Sequence, residues 1–379
     1  MLDLSRQYRQ IREEILNAVE RVCASQHFIL GEEVAALERE VATYVGAKDA
    51  VACASGTDAL WLALLAAGVQ AGDAVITTPF SFLASASSIA RIGARPVFVD
   101  IDSRTFNLDP DKLAAKLKAE GSRVRAILPV HLYGQCADMD ALAALAQEFK
   151  VPVIEDTAQA IGATWQNRRA GSLGLAAAFS FYPTKNLSAY GDAGLVTTSN
   201  REWAEHMRQL RNHGSPQRYV HHELGWNCRM DAIQAAILRV KLPHIETWNQ
   251  QRRERAATYD RLFEDHGLIK RRAGPPAKAA PVVLPQLSAQ AQHVFHQYVL
   301  RVLRRDELRT FLAARKIATE TYYPVPLHLQ PCFEYLGYRE GDLPESERAA
   351  REVLALPMFP ELRDDEQERV VENIAAFYS

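Results

Sequence analysis

Apolar side chains recur at Ile11, Ile15, Val19 and Val22, the spacing of one helix face, and predict a helix over 6–23. A second helix is expected after "LGEE", where Val34, Leu37, Val41 and Tyr44 keep the same rhythm. Then the pattern changes. Short β-branched runs alternate with helical stretches: "AVACAS" (50–55) precedes "TDALWLALLAA", and "AVITTP" (74–79) precedes "SFLASASSIARI". "RPVFVDI" (95–101), "DPDKLAAKLKAE", "VRAILPV" (124–130), "DMDALAALAQEF" and "VPVIED" (151–156) continue the alternation. Strands apolar at consecutive positions are buried on both faces. Alternating with helices, they predict a mostly parallel sheet in an α/β layer fold.

Near residue 200 the alternation stops. A helix-rich stretch runs to about 265, and "RRAGPPAKAAPVVLP" (271–285) makes a proline-rich connection. Beyond it, a strand at "QYVLRVL" (297–303) and helices near 306–315, 346–354 and 364–377 predict a smaller α/β lobe. No internal repeat is visible.

The 379 residues are enough for a large core and two or three structural units. A formal net charge of −2, with no block of Lys and Arg, points away from nucleic acid. "QQRRER" (250–255) reads as the wet face of a helix. Five scattered cysteines without a CxxC pair argue against a disulfide framework or a metal site, and for a reducing compartment. The opening "MLDLSRQYRQIREEI" has no signal-peptide core, and no apolar run suits a bilayer span. The expectation is a cytoplasmic protein without a membrane partner.

"SFYPTKNLSAYGDAG" (180–194) sets Lys185 between an apolar run and a loop. It reads either as a solvated loop lysine or as an amine placed to meet a carbonyl. In open α/β sheets, ligands sit beyond the carboxyl ends of the strands. "SGTDAL" (55–60) puts Ser55, Gly56 and Thr57 at such an end and at a helix start. That start is either a capped terminus or an anion site. "PVIEDTAQAIGA" (152–163) ends a strand in two acids, and "PFSF" (79–82) offers two aromatics as core or as a stacking surface. An amine, a carboxylate, an aromatic plate and an anion-binding helix start are together what pyridoxal 5′-phosphate requires.

The order of "ASGTDAL", "PVHLYGQ" (129–135), "VIEDTAQAIGA", "FSFYPTKNLSAYGDAG" and "GWNCRMDAIQAAIL" (225–238) resembles the pyridoxal phosphate-dependent nucleotide-sugar aminotransferases of the DegT/StrS group. The resemblance runs from "LDLSRQY" to "LPMFP" (356–360). It implies a large cofactor-binding domain over 31–245, with a mostly parallel seven-stranded sheet flanked by helices. It also implies an N-terminal segment (1–30) making dimer and small-domain contacts, and a small C-terminal domain over 246–379.

By resemblance, Lys185 bonds the cofactor aldehyde and shuttles protons, while Asp156 pairs with the pyridine N–H. Gln159 lies near the phenolic oxygen and Phe82 stacks on the ring. Ser55, Gly56, Thr57 and Ser180 hold the phosphate. Asn227 reaches the neighbouring subunit's cofactor, making a homodimer with composite sites; the plain alternative is a cap on the helix near Met230. His131 and Tyr133 are local scaffold. Tyr182, His213, Tyr219, His222, Arg229, Tyr323 and His328 are the candidate substrate contacts, with loop exposure or packing as the alternative.

The implied reaction carries an amino group from L-glutamate, through pyridoxamine phosphate, to a nucleotide-linked keto sugar. A 3-oxo sugar is expected, with a 4-oxo sugar of the perosamine type as the alternative, in amino-sugar or O-antigen biosynthesis. A sister branch with histidine at the lysine position dehydrates instead, and Lys185 argues against it. A non-catalytic regulatory protein is the rival from another class. "GDAG" (191–194) departs from the family's "GDGG" at Ala193.

Overall fold

The first two expected helices are α1 (Leu4–Ser25) and α2 (Glu32–Val45) in the computed structural model, which describes residues 1–269, 275–278 and 280–379. Ile11, Ile15 and Val22 of α1 are buried, as are Val34, Leu37 and Val41 of α2. The alternating region then gives β1 (Asp49–Cys53), α3 (Gly56–Ala66), β2 (Ala74–Thr77), α4 (Ala84–Arg91), β3 (Arg95–Phe98) and α5 (Pro110–Glu120). It continues as β4 (Val124–Leu128), α6 (Met139–Phe149) and β5 (Ile154–Asp156). Asp109 and Asp138 cap α5 and α6 by accepting first-turn amides. A small hairpin, β6 (Thr164–Trp165) and β7 (Arg168–Arg169), leads to β8 (Ala176–Ser180) and β9 (Gly194–Thr198).

The expected single seven-stranded sheet is instead two sheets. One has the order β1-β9-β8-β5 and the other β3-β2-β4. Between β4 and β5 there are isolated parallel bridges, Ile127 to Val153 and Val130 to Asp156. The reason is proline on both facing segments: Pro152 and Pro129 only accept, from Ile127 N and Asp156 N. Without their own N–H groups a continuous ladder cannot form. The β2–β3, β2–β4 and β5–β8 pairs are parallel, while β9 runs antiparallel to both β1 and β8.

Both faces of the four-stranded sheet are covered. Ala50, Ala52, Ala177 and Phe179 pack toward α1, α2 and α8 (Ala232–Lys241). Val51, Cys53, Ala176 and Ala178 pack toward α3 and α7 (Arg201–Leu210). This two-sided burial is why these strands are apolar at consecutive positions.

α9 (Ile245–Asp265) leads toward a third core. Here β10 (Val282–Val283) and β13 (Val353–Leu356) flank β12 (Tyr298–Val302), while β11 (Ala291–Gln292) pairs with β6. α10 (Arg305–Ala314), α11 (Pro344–Glu352) and α12 (Asp364–Tyr378) match the three helices expected there. Residues 271–274 and 279 of the proline-rich connection lie outside the described residues. "QQRRER" is not simply a wet face. Arg252 lies on the buried stripe of α9 with Trp248, Ala256 and Tyr259, and donates to the carbonyls of Phe295 and Met358. Among the described residues no helix is long and apolar enough to cross a membrane.

Candidate active site

Asp156 ends β5, beside Ala178 of β8, and Lys185 lies on the loop that follows β8. A turn from the Lys185 amide to the Tyr182 carbonyl (2.8 Å) starts that loop. The two acids of the strand part ways, as alternate strand positions must. Glu155 is fully buried, accepting the amides of Leu173 and Gly174 and meeting His131 Nε2 at 2.9 Å. His131 Nδ1 accepts the Ala137 amide, so Nε2 carries the proton it shares with Glu155. Both are structural, as expected of His131.

Asp156 faces the other way. Its Oδ2 accepts from Ser85 Oγ (2.8 Å) and its Oδ1 from the Ala158 amide (3.2 Å). Burial raises its pKa; those bonds and the charge of Lys185 pull against it. Burial brings the Lys185 amine down to about 8, with Asp156 opposing the shift. The pair is thus an amine whose pKa burial lowers and a desolvated carboxyl, each within reach of the other's charge.

The start of α3 closes on the same place. Ser55 Oγ accepts the Asp58 amide (3.1 Å), so the capping expectation holds for Ser55, and the Gly56 and Thr57 amides head the helix. A Cβ on Gly56 would stand 2.6 Å from Ser180 Cβ, and one on Gly194 2.2 Å from the Ser55 carbonyl oxygen. Glycine at both positions lets the helix start approach the ends of β8 and β9. Ala193, the departure from the family pattern, is buried in the core without displacing either.

The two aromatics of "PFSF" divide. Phe80 is core, whereas Phe82 is 60% exposed, with its ring 6.4 Å from that of Tyr323. Gln159 accepts the Tyr133 amide at Oε1 (2.7 Å) and donates through Nε2 to Tyr323 Oη (3.1 Å). Tyr323 therefore stands with Gln159 and Phe82. Tyr182 is exposed just ahead of Lys185.

Other candidates lie apart. His328 is wholly buried against Glu347 (3.1 Å), the packing alternative rather than an open substrate contact. His213, Tyr219 and His222 are exposed on the 211–231 segment, and the bonds they make stay near it: His213 N to Trp226 O, His222 N to Gly214 O, and Tyr219 Oη from Arg218. Arg229 donates to Asn212 Oδ1 (2.9 Å). Asn227 is exposed and pairs through its backbone with Asn212; the N-cap position of α8 is held by Asp231, without a side-chain cap bond. Ser85 was not legible as a site residue. The available signal was hydroxyls at Ser81 and Ser85, four apart, one just before α4 and one on its buried side; the structure bonds them to each other at 2.8 Å.

The chain superposes on the crystal structure of S. venezuelae DesV, solved in complex with a ketimine intermediate, with a TM-score of 0.92 and 42% identity. The match covers 100% of this chain and 97% of that one. Fold and site thus define an α/β enzyme of the aminotransferase class. The family model described as DegT/DnrJ/EryC1/StrS aminotransferase matches residues 9–375, and the chain belongs to that family. It is 53% identical over 378 residues to a Geobacillus stearothermophilus protein named pleiotropic regulatory protein, spanning 100% of this chain and 98% of the relative. It is 42% identical over 370 residues to the UDP-N-acetyl-3-dehydro-alpha-D-glucosamine 3-aminotransferase of Acidithiobacillus ferrooxidans, covering 98% and 95%.

Proposed function

We propose that this aminotransferase carries an amino group from L-glutamate to a 3-oxo sugar linked to a nucleoside diphosphate, with pyridoxal 5′-phosphate as its cofactor. The observation that carries the reading is the placement of Lys185 on the loop after β8 beside Asp156 at the end of the paired strand β5, close enough for each charge to act on the other. The 3-oxo position is supported by the name of the A. ferrooxidans relative.

The residues fit the cofactor. Gly56 and Gly194 let the head of α3 close on Ser180, and the amides at that helix start are where a phosphate is favoured. Ser55 and Thr57 flank Gly56 there. A desolvated carboxyl gains most from a cationic N–H partner, which assigns Asp156 to the pyridine nitrogen. Phe82 offers an exposed ring for stacking, and Gln159, held by the Tyr133 amide, would lie near the phenolic oxygen. When bound, the cofactor supplies an electron sink for the charge left at the amino donor's α-carbon.

The rest is the work of this chain. Lys185 takes the proton from the donor α-carbon, for which it must be neutral part of the time. Asp156, whose charged form Ser85 and the Ala158 amide favour against its burial, holds the ring proton in place. Tyr182 and Tyr323 border the side open to a sugar. Phe28, Ile29 and Tyr190 are exposed large side chains grouped around the start of α8, a face suited to a second copy. In this reading the exposed Asn227 reaches the neighbouring subunit, and the homodimer has composite sites. The division into 1–30, 31–245 and 246–379 belongs to the same reading.

A second reading, a regulatory protein that binds the ligand without turnover, is favoured by the name of the G. stearothermophilus relative. One assay separates them: UDP-, dTDP- and GDP-linked 3-oxo and 4-oxo sugars are offered with glutamate, and 2-oxoglutarate release is followed. Turnover of 3-oxo sugars is expected. Turnover of 4-oxo sugars alone would contradict the position assigned, and cofactor binding with no turnover on the panel would favour the regulatory reading.

A further inference from the structure

Asn186 follows Lys185 in the chain, is buried, and spends its amide on two other segments, α9 and the stretch 294–296. Its Nδ2 donates to Asn249 Oδ1 (2.8 Å) and to the Val294 carbonyl (3.2 Å), while its Oδ1 meets His296 Nδ1 (3.1 Å). Asn249, fully buried on α9, passes the bond on through Nδ2 to the Ile161 carbonyl (3.0 Å). The directions are forced. A backbone carbonyl only accepts, so Val294 fixes the nitrogen of Asn186 and Ile161 fixes that of Asn249. Asn186 Oδ1 is then an acceptor, and His296 Nδ1 carries a hydrogen. Burial and the nearby Lys185 charge keep that imidazole neutral, lowering its pKa well below the ordinary value.

The result is one directed chain, His296 to Asn186 to Asn249 to Ile161. It joins the residue after Lys185 to the loop that begins at Asp156 and carries Gln159. Gly162 makes room for it: at φ +84°, a Cβ there would stand 2.4 Å from Asn249 Nδ2. A second anchor holds the lysine loop on its far side, where Lys241 Nζ donates to the carbonyl (2.8 Å) and hydroxyl (3.1 Å) of Ser188.

We propose that Asn186, Asn249 and His296 are positioning residues that lock the backbone of Lys185 to the Asp156–Gln159 loop, so that the amine swings from a fixed base. The inference rests on the reading of Lys185 as the proton-transferring amine. A long lysine side chain has many rotamers, and a displacement of its base is amplified at the amine. Geometry errors near 1 Å cost on the order of 100-fold in rate.

The test uses Asn186→Ala, Asn249→Ala and the double variant, with His296→Phe approaching the same chain from its other end should Asn249→Ala not fold. In cofactor-free protein, amide hydrogen exchange is measured over 183–190 and 157–163. Each variant is expected to speed exchange in both segments together while leaving β12 unchanged. In the loaded enzyme, kcat falls roughly 10- to 100-fold with the donor KM largely unchanged, by the positioning argument. The isotope effect from α-deuterated glutamate rises, because proton transfer becomes limiting, and the double variant is no slower than the worse single. Exchange altered in one segment alone, or an unchanged isotope effect, would overturn the proposal. Turnover retained by Lys185→Ala would instead overturn the reading of the amine and leave the exchange result standing.

Discussion

Ser85 Oγ donates to Asp156 Oδ2 at 2.8 Å from the fully buried side of α4. This hydroxyl favours the ionised carboxylate against a burial that would neutralise it. Ser85→Ala is therefore expected to raise the Asp156 pKa further. The sign follows: Asp156 stays protonated to higher pH, so the acid limb of kcat moves upward. A hydrogen bond to a charged group is worth ~1.5–3 kcal/mol, a slowdown of about tenfold or more below that limb. Asp156→Asn should cost more, ~3–4 kcal/mol, as other preorganised charges do. A pH–rate profile of each variant checks both, and Ser85→Thr should restore the limb.

The Lys185 amine, brought down to about 8 by burial, is half neutral near that pH in cofactor-free protein. An exposed lysine reaches the same point only near ~10.4. The rate at which added pyridoxal phosphate bonds the protein should then rise with pH and level off above about 8. A rise continuing toward ~10 would mean that the amine is solvated like an ordinary lysine.

Glu38 and Arg211 form a buried pair at 2.5 Å that also ties the backbone of Ala52, with Glu38 taking its amide and Arg211 its carbonyl. This joins α2 to β1 and to the end of α7. Glu38→Ala leaves the guanidinium buried without its counter-charge and should destabilise the fold by ~3–5 kcal/mol. Urea unfolding measures it, and Glu38→Gln, which can still accept both bonds, should lose less.

The proposed reach of Asn227 across a dimer is tested by mixing. Lys185→Ala and Asn227→Ala subunits, each weak alone, are allowed to exchange. A composite site puts both lesions in one half of the heterodimer and leaves the other intact, so activity recovers to roughly half per mixed dimer by symmetry. Verified exchange without recovery would confine Asn227 to its own subunit.

Most elements were legible because period and burial agree. The strand ends at Ser55 and Asp156, and the loop carrying Lys185, followed directly from that reading. The split of the sheet was hidden in Pro129 and Pro152, whose effect depends on the segments that carry them lying side by side. Arg252 looked solvated because a charge run hides the one position that a 3.6-residue repeat turns inward. Ser85, Asn249 and His296 were invisible for a related reason: their meaning lies in partners 71, 63 and 110 residues away. His328, in a proline-broken stretch, read equally as a substrate contact or as packing, and Glu347 of α11, 19 residues on, is the partner that decides for packing.

The central claim is that Lys185 is the amine that holds pyridoxal phosphate. The protein is saturated with the cofactor, reduced with borohydride to make the linkage permanent, digested, and mapped by mass spectrometry. The account predicts the added phosphopyridoxyl mass on the peptide carrying Lys185, and none in Lys185→Ala. The same mass on Lys241 or a surface lysine, with Lys185 unmodified, would contradict it.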